Sequence, residues 1–357
     1  MNILIDIGHP AQVYNFKYIY QGLIKKGHKV YIIAIDKDIT IDLLEKFEMP
    51  YVKLKNTKKS LLLKLIWILL SNIKAFHFIY NKKIDVVVSR MSIYMTIPAW
   101  VLRRKHIGLC DTESAIENKV ISKMLTFVLS SDSFKPNLGS NHYKIKSNIE
   151  LFYLHPNHFK IDEQNNCFLN IESDVPYVIM RFVSWDAFHD KGLTGFSDTN
   201  KLKAVECFSK YARVFISSEK SLPDFLQQYQ IRIPPERMHD VLAKSLLFFG
   251  ESATMASESA CLGVPAVYLD KNGRGYIDEE VQFGLVYHYR NSDNEQKEAI
   301  NKGVEILSKT INCKATFEEN RKAFLKNKID ASSLLVGVIE NIFNHDYTVD
   351  LIIKVNN

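Results

Sequence analysis

The chain has 357 residues, of which 46% are hydrophobic and 24% are charged, and this is the composition of a folded globular protein with room for two domains. Its five cysteines are scattered without a CxxC pair or a Cys/His cluster, so the sequence indicates neither a zinc site nor a disulfide framework. A strand is predicted directly at the N-terminus and no signal peptide is recognised, which predicts a cytoplasmic protein.

The net charge of +6 is divided unevenly along the chain. Residues 1–160 contain 24 Lys and Arg against 12 Asp and Glu, a net of +12, which leaves 22 against 28, a net of −6, for residues 161–357. The basic half predicts an anionic partner, such as a membrane surface, a lipid diphosphate, an acidic sugar or nucleic acid. The alternative is charge that serves solubility. Nucleic acid is the weakest of these hypotheses because no RNA- or DNA-binding motif is present.

Strands and helices alternate along the first half, which predicts a doubly wound parallel sheet. Strands are predicted at 2–7, 29–34, 51–54, 85–89, 106–110 and 151–154, and helices at 13–25, 39–47, 60–80, 93–103 and 113–129. Within residues 58–83, the predicted helix at 60–80 has an apolar run at 61–70, is flanked by lysines, and has no uncharged part long enough to span a bilayer. This helix either lies on an anionic membrane surface or is buried against the sheet.

A second alternation follows a polar linker at about 155–175. Its strands are predicted at 177–181, 213–217, 246–249, 266–269 and 285–289, and the last helices at 293–308, 315–327 and 331–344. The predicted domains are therefore an N-terminal Rossmann-like domain at 1–160, a C-terminal Rossmann-like domain at 170–330, and a helix and tail at 331–357. Two Rossmann-like, doubly wound parallel-sheet domains of this kind form the GT-B architecture, in which ligands are expected to bind in the central cleft between the domains.

The most informative segment, residues 249–268, has the pattern strand, tight loop, helix, strand. Backbone N–H groups at the start of this helix, and the positive end of its dipole, suit a diphosphate. Glu258, about one turn into the helix, could accept hydrogen bonds from a ribose diol. The alternative is an ordinary strand-loop-helix unit that binds no ligand.

This segment resembles the nucleotide-sugar loop of GT-B glycosyltransferases and of the related UDP-N-acetylglucosamine 2-epimerases. In those families a helix Glu is followed five residues later by Gly and seven later by Pro, as Glu258, Gly263 and Pro265 are here. The resemblance implies a GT-B fold and a site for a nucleotide sugar, with UDP as the expected nucleotide. The residues predicted to bind the donor nucleotide are Arg181, Ser252, Ala253, Thr254, Met255 and Glu258.

Most of the chain also resembles domain-of-unknown-function family 354, a GT-B-like prokaryotic family. The matching residues are 5–11, 16–17, 27–28, 111–113, 181–186 and 250–269. That resemblance implies the fold and nucleotide-sugar binding more firmly than any reaction. It suggests a role in the biosynthesis of a cell-surface polysaccharide or another glycoconjugate. Peripheral association with the inner face of the plasma membrane is predicted from residues 60–80 and from the basic half.

Three residues of the first half are candidates for acid/base catalysis. His9 follows the first strand and titrates near neutral pH, although it could instead cap the first helix. Asp111 and Glu113 follow another strand, and Asp111 could equally be a helix N-cap. Gly8 permits a close approach of a ligand to the backbone.

Further donor contacts are predicted in loops of the second half. Arg181 could bind a phosphate in bidentate fashion or form an interdomain ion pair. Trp185 could cover a base or a sugar, with His189 and Asp190 in the same loop. Ser218 and Arg274 are candidates for contact with the donor sugar or phosphates, and an exposed loop arginine is the alternative for Arg274.

Three functions are compatible with these features. The first is a metal-independent glycosyltransferase that moves a sugar from a nucleotide sugar to a glycan or a lipid-linked sugar, with no cofactor. Gly250 stands eight residues before Glu258, where retaining GT-B enzymes often carry a second Glu, and this favours inversion. The second is a non-hydrolysing UDP-sugar 2-epimerase, against which residues 89–91 and 181–183 depart from the expected motifs. The third is a non-catalytic nucleotide-sugar-binding protein.

Overall fold

The computed structural model describes residues 1–56, 61–113, 115, 117–162, 169, 175–183, 195–218, 221–344 and 352–355. Contacts divide the chain into two compact units. Unit 1 comprises Met1–His158 with Lys328–Asn357, and unit 2 comprises Phe159–Asn327. Residues 331–357, predicted as a separate helix and tail, are thus grouped with unit 1, because their helix packs on the first helix of that unit.

Unit 1 has one sheet of eight described strands, of which all but the last run parallel. Its strands are β1 (Asn2–Ile7), β2 (Lys29–Asp36), β3 (Val52–Lys55), β4 (Val86–Ser89), β5 (Lys105–Leu109), β6 (Phe127–Ser131), β7 (His142–Ile145) and β13 (Ile352–Lys354). They lie in the order β13-β7-β6-β5-β4-β1-β2-β3. In β1 the residues Ile3, Leu4 and Ile5 are fully buried, as expected of a parallel strand covered on both faces.

The helices of unit 1 cover this sheet. They are α1 (Pro10–Lys25), α2 (Thr40–Lys46), α3 (Leu61–Asn81), α4 (Ile93–Val101), α5 (Asn118–Ile121), α6 (Leu151–Leu154) and α13 (Ala331–Phe343). Pro10 suits the first position of α1, because a proline there gives up no helical hydrogen bond. Among the described residues, no helix has the length and apolarity needed to cross a membrane.

Two predicted elements of unit 1 are wrong. The predicted helix at 113–129 is replaced by the single turn α5, a 3₁₀ turn at Ser122–Met124 and the strand β6. The residues that begin β6 are buried between β5 and β7, and this sheet environment overrides their local helical pattern. The predicted strand at 151–154 is the short helix α6, which packs against α1 and α13 instead of pairing with the sheet.

Unit 2 is a smaller doubly wound unit. Its described strands are β8 (Tyr177–Phe182), β9 (Arg213–Ser218), β10 (Leu247–Gly250), β11 (Ala266–Leu269) and β12 (Val286–Tyr289), all parallel and ordered β12-β11-β10-β8-β9. Its helices are α7 (Asp198–Phe208), α8 (Met238–Lys244), α9 (Ala253–Leu262), α10 (Gly275–Gln282), α11 (Asp293–Ser308) and α12 (Thr310–Lys326). Phe208 and Phe249 form the centre of its core with Leu247 and Ile300.

A buried histidine makes the stability of unit 1 dependent on pH. His106 on β5 is almost fully buried, and its Nε2 atom lies 2.8 Å from Ser89 Oγ on β4. Burial lowers the pKa of His106 from 6.5 to about 3. Between these values the unfolded chain binds one more proton at this residue than the folded chain does, so falling pH favours unfolding.

We expect a His106→Gln variant to lose less stability on acidification than the wild type. Between pH 7 and pH 5 the single histidine should account for about 2 kcal/mol of the wild-type loss in free energy of unfolding. Urea unfolding of both proteins at several pH values measures this difference, and other titrating groups cancel in the comparison. Parallel stability curves for the two proteins would show that His106 does not titrate in this way.

Candidate functional site

The strand order of unit 2 reverses between β8 and β10. The chain leaves β8 towards β9 on one side, and it leaves β10 towards β11 on the other. The loops after β8 and β10 therefore diverge at the carboxyl edge of the sheet, and such a switch point is where open α/β sheets bind their ligands.

A glycine brings the two strands into close contact at this switch point. A Cβ atom on Gly250 would lie 2.1 Å from the carbonyl oxygen of Arg181, so no other residue fits there without a backbone shift. The next residue, Glu251, is buried, and its carboxylate accepts hydrogen bonds from the backbone N–H groups of Val183 and Phe196. These contacts fix the backbone where it leaves β8 and where it returns to α7.

The helix α9 begins directly after this contact. Ser252 is its N-cap, and the Ser252 hydroxyl accepts a hydrogen bond of 3.3 Å from the N–H of Met255. Ala253 and Met255 are buried, whereas Thr254 is exposed at the helix start. Gly263 ends the helix with φ 80°, a conformation that favours glycine. The positive end of the α9 dipole thus lies at the carboxyl edge of the sheet beside the switch point.

Glu258 lies in the second turn of α9 and is buried. Its Oε1 atom is 2.9 Å from Nε2 of His239, a buried residue in the first turn of α8. The side chain of Glu258, which was predicted to bind a ribose, is therefore held by His239, a residue for which the sequence did not predict this role. The only sequence signal was the position of His239 shortly before β10.

Arg181 and Ser218 lie at the carboxyl ends of β8 and β9. The Arg181 Nη1 group donates a hydrogen bond of 2.7 Å to the Ser217 hydroxyl, which holds the guanidinium at this edge of the sheet. Ser218 is the last residue of β9 and is half-buried. Both residues thus lie at the carboxyl edge of the sheet, the edge at which α9 also starts.

Arg274 follows β11 and is the N-cap residue of α10. Burial lowers the pKa of its guanidinium, but the neighbouring Tyr276, Tyr268 and Asp270 outweigh burial and raise the pKa overall. Because β11 adjoins β10, the loop that contains Arg274 leaves the sheet next to the start of α9. A permanently charged guanidinium in this place suits a phosphate.

Unit 1 has its own switch point, between β1 and β4. Gly8 and His9 follow β1, and the N–H of Gly8 donates a hydrogen bond of 2.6 Å to Gln12 Oε1. His9 is the N-cap of α1 and accepts a hydrogen bond of 3.2 Å from Ala11 N–H through Nδ1. The capping role considered for His9 is therefore present, and its side chain is also exposed.

The two candidate carboxylates of unit 1 have identified partners. Asp111 forms an ion pair with the Arg90 guanidinium, which also donates a hydrogen bond of 2.6 Å to Asn15 Oδ1. Burial lowers the pKa of Arg90, but Asp111 outweighs this and raises it. Glu113 Oε1 accepts a hydrogen bond of 3.0 Å from the N–H of Lys135. Arg90 directly follows β4 at the switch point, and sequence reasoning noted it only as a departure from an epimerase motif.

Asp6 is a buried carboxyl group in β1 that sequence reasoning assigned no role. It accepts hydrogen bonds from the hydroxyls of Ser92 and Tyr94 at the start of α4. Burial raises the pKa of Asp6 to about 6, although both hydrogen bonds oppose the shift. These contacts attach the start of α4 to the centre of the sheet.

The structure thus places the predicted residues at the carboxyl edges of two separate sheets. Unit 2 contains the donor set, and unit 1 contains Gly8, His9, Asp111 and Glu113. Trp185, His189 and Asp190 lie outside the described residues. Within the described part of the chain, no group of three His, Cys, Asp or Glu side chains is arranged to hold a metal ion.

Solved structures with the same architecture cover nearly the whole chain. S. aureus MnaA in complex with UDP aligns over 96% of this chain and 97% of its own, with 12% identity and a TM-score of 0.67. The UDP-GlcNAc 2-epimerase from Neisseria meningitidis bound to UDP-GlcNAc aligns over 96% and 100%, with 14% identity and a TM-score of 0.67. MurG from Acinetobacter baumannii aligns over 95% and 99%, with 14% identity and a TM-score of 0.59.

These similarities show that the chain has the GT-B fold, with two parallel-sheet α/β domains. At such low identity they show the fold alone. No family model matches the sequence, and no curated protein matches it. The resemblance to family 354 therefore stays a prediction.

The close contact at Gly250 gives a direct test of the switch point. A Gly250→Ala variant should lose about 1–3 kcal/mol in free energy of unfolding, because its Cβ would overlap the Arg181 carbonyl. Gly337 in α13 is the matched control, since a Cβ there would meet no atom within 4 Å. Urea unfolding should show Gly337→Ala to be unchanged or stabilised by up to about 1 kcal/mol. Equal stability of the two variants would contradict the observed contact.

Proposed function

We propose that the protein is a glycosyltransferase that uses a nucleotide sugar, with UDP as the nucleotide. The observation that carries this proposal is the start of α9 at the switch point of unit 2, with Glu258 buried one turn further along the same helix. A diphosphate would bind the free N–H groups of Ala253 and Thr254, and the ribose hydroxyls would bind Glu258. Arg181 and Arg274 would contact the phosphates.

The chemistry required of this site is stabilisation of the departing nucleoside diphosphate. The α9 dipole and the two arginines would stabilise the negative charge that grows on the leaving phosphate, without a metal ion. A base must also remove the proton of the acceptor hydroxyl. Among the candidates of unit 1, we favour His9 because its side chain is exposed, whereas those of Asp111 and Glu113 are partly buried.

We propose inversion at the transferred sugar carbon. Gly250 occupies the place, eight residues before Glu258, that would carry a second Glu in many retaining enzymes. The neighbouring Glu251 accepts hydrogen bonds from two backbone N–H groups, so its carboxylate is engaged in holding the loop.

A UDP-sugar 2-epimerase is the second candidate. It is favoured by the two solved structures named above that align over 96% of the chain, one of which is a UDP-GlcNAc 2-epimerase. Both candidates share the donor site, and they differ in their products. Nuclear magnetic resonance of a UDP-sugar incubated with the protein would show a second epimer without any acceptor only if the protein is an epimerase. A glycosyltransferase would release UDP when an acceptor is present.

We expect UDP or a UDP-sugar at about 100 times its Kd to raise the melting temperature by about 5 °C or more. GDP, CMP and dTDP are tested separately in the same thermal-shift screen, for comparison with UDP. The rise should disappear in Glu258→Gln and persist in Glu318→Gln, whose exposed carboxylate pairs with Arg321 on α12. The absence of a response to every nucleotide would rule out the proposed donor site, and with it a non-catalytic nucleotide-sugar-binding role.

We also propose that the acceptor is a glycan or a lipid-linked sugar at an anionic membrane surface, in polysaccharide or glycoconjugate biosynthesis. The support is an apolar surface of unit 1, here called the α3–α4 surface. Leu65, Leu69, Leu70 and Trp100 are each more than half exposed, at 58%, 62%, 53% and 57%. The helices α3 and α4 pack against each other, and each turns an apolar stripe to the solvent. Soluble monomers rarely expose so much apolar surface without a partner.

The charge of the sequence that contains α3 and α4 favours an anionic membrane. Residues 49–110 contain one acidic residue, Asp85, and twelve basic residues. The basic residues are Lys53, Lys55, Lys58, Lys59, Lys64, Lys74, Lys82, Lys83, Arg90, Arg103, Arg104 and Lys105. An apolar face bordered by Lys and Arg lies in the interface of anionic lipid, with Trp at the headgroup level.

The protein should bind vesicles that contain phosphatidylglycerol and should not bind vesicles of phosphatidylcholine alone. A Leu69→Gln, Trp100→Gln double variant should bind the anionic vesicles at least about tenfold more weakly, because two apolar side chains no longer enter the lipid. Val281→Gln is the control, since Val281 is an exposed apolar residue on α10 of unit 2. Vesicle flotation measures the binding of the wild type, the double variant and the control to the vesicles. Equal binding by the double variant would remove the α3–α4 surface as the membrane contact.

A further inference from the structure

The pair formed by His239 and Glu258 connects two helices of unit 2. Both side chains are buried, with 8% and 7% of their surface exposed, and the atoms Nε2 and Oε1 lie 2.9 Å apart. His239 belongs to the first turn of α8, which precedes β10, and Glu258 belongs to α9, which follows it. The carboxylate of Glu258 is therefore oriented by a residue from outside its own helix.

The direction of this hydrogen bond follows from the chemistry of the two groups. An ionised carboxylate can only accept hydrogen bonds, so His239 must carry a proton on Nε2 and donate it. The imidazole ring is fixed on another side by Phe159, whose ring lies edge-on at a centroid distance of 6.2 Å. The helix α8 is itself fixed to β8, because the Tyr177 hydroxyl donates a hydrogen bond of 2.7 Å to the Val241 carbonyl.

We propose that His239 is a positioning residue through which Glu258 selects ribonucleotides over 2′-deoxyribonucleotides, an inference that rests on the proposed donor site. A ribose presents two neighbouring hydroxyl donors, and a carboxylate held in one orientation can accept from both. Without the His239 hydrogen bond, the carboxylate loses a contact that fixes its orientation towards the two hydroxyls. The 2′-hydroxyl then contributes less to binding, while the base and diphosphate contacts remain.

A role in stability alone explains this pair less well. Removing a carboxylate and an imidazole from water has a large desolvation cost, and apolar side chains of similar volume are often as stable in such a place. The rest of α9 supplies small and apolar side chains, namely Ala253, Met255, Ala256, Ala260 and Leu262, that would pack against an apolar partner. The buried pair therefore indicates a requirement for an oriented carboxylate.

The test compares two ligands that differ by one hydroxyl group, UDP and 2′-deoxy-UDP, by isothermal titration calorimetry. The wild type should bind UDP at least about tenfold more tightly, because a site built to accept a hydroxyl proton rejects the analogue without it. His239→Phe keeps an aromatic ring but has no N–H group, so its preference should fall below about threefold, through weaker binding of UDP. His239→Gln retains a donor and should keep most of the preference.

Two further measurements make the outcome decisive. Tyr177→Phe removes a buried hydrogen bond to the same helix without touching the pair, and it should leave the preference unchanged. Thermal melts identify any variant that has not folded, and if His239→Phe is one of them, His239→Met, which also has no side-chain N–H group, takes its place in the comparison. A wild-type preference retained in folded His239→Phe, or a wild type that binds both ligands equally, would overturn the role of His239. A wild type that binds neither ligand would instead overturn the proposed donor site.

Discussion

The close approach of β8 and β10 is the constraint on which the candidate donor site depends. The backbone of Arg181 occupies the space that a side chain at position 250 would need, so a glycine is required there. This contact sets the register of the two strands and the point from which α9 starts. The helix dipole, the Glu258 carboxylate and the Arg181 guanidinium all receive their positions from it. A shift of the backbone at this contact would therefore move the start of α9, Glu258 and Arg181.

The polar groups around both switch points are held by neighbours before any ligand arrives. Glu251 accepts from two backbone N–H groups, Glu258 is held by His239, and Arg90 holds Asp111. Each buried charge is thus compensated within its own unit, since an uncompensated one would be costly. Preorganised dipoles and charges need little rearrangement when charge develops on a ligand, and this is the main source of electrostatic catalysis.

The sequence predicts the alternating elements and the parallel sheets because their signals are local: short apolar runs for buried strands, and caps and glycines for the ends of helices. The loop at 249–268 is recognisable for the same reason. The errors at 113–129 and 151–154 have a non-local cause. The neighbouring strands β5 and β7 decide that Phe127 begins a strand, and the helices α1 and α13, against which α6 packs, decide that Leu151 begins a helix. The partnerships of His239 with Glu258 and of Arg90 with Asp111 join residues 19 and 21 positions apart, and only the folded chain shows them.

The two hydrogen bonds accepted by Glu251 have a consequence for the changes that this chain can tolerate between β8 and α7. One carboxylate fastens the chain at Val183 and again at Phe196, so the segment between them begins and ends at the same buried point. The entropy cost of joining two fixed points by a chain segment grows only slowly with the length of the segment. Insertions and deletions between these two anchors would therefore leave β8 and α7 where they are, and the sheet and α9 would stay constant.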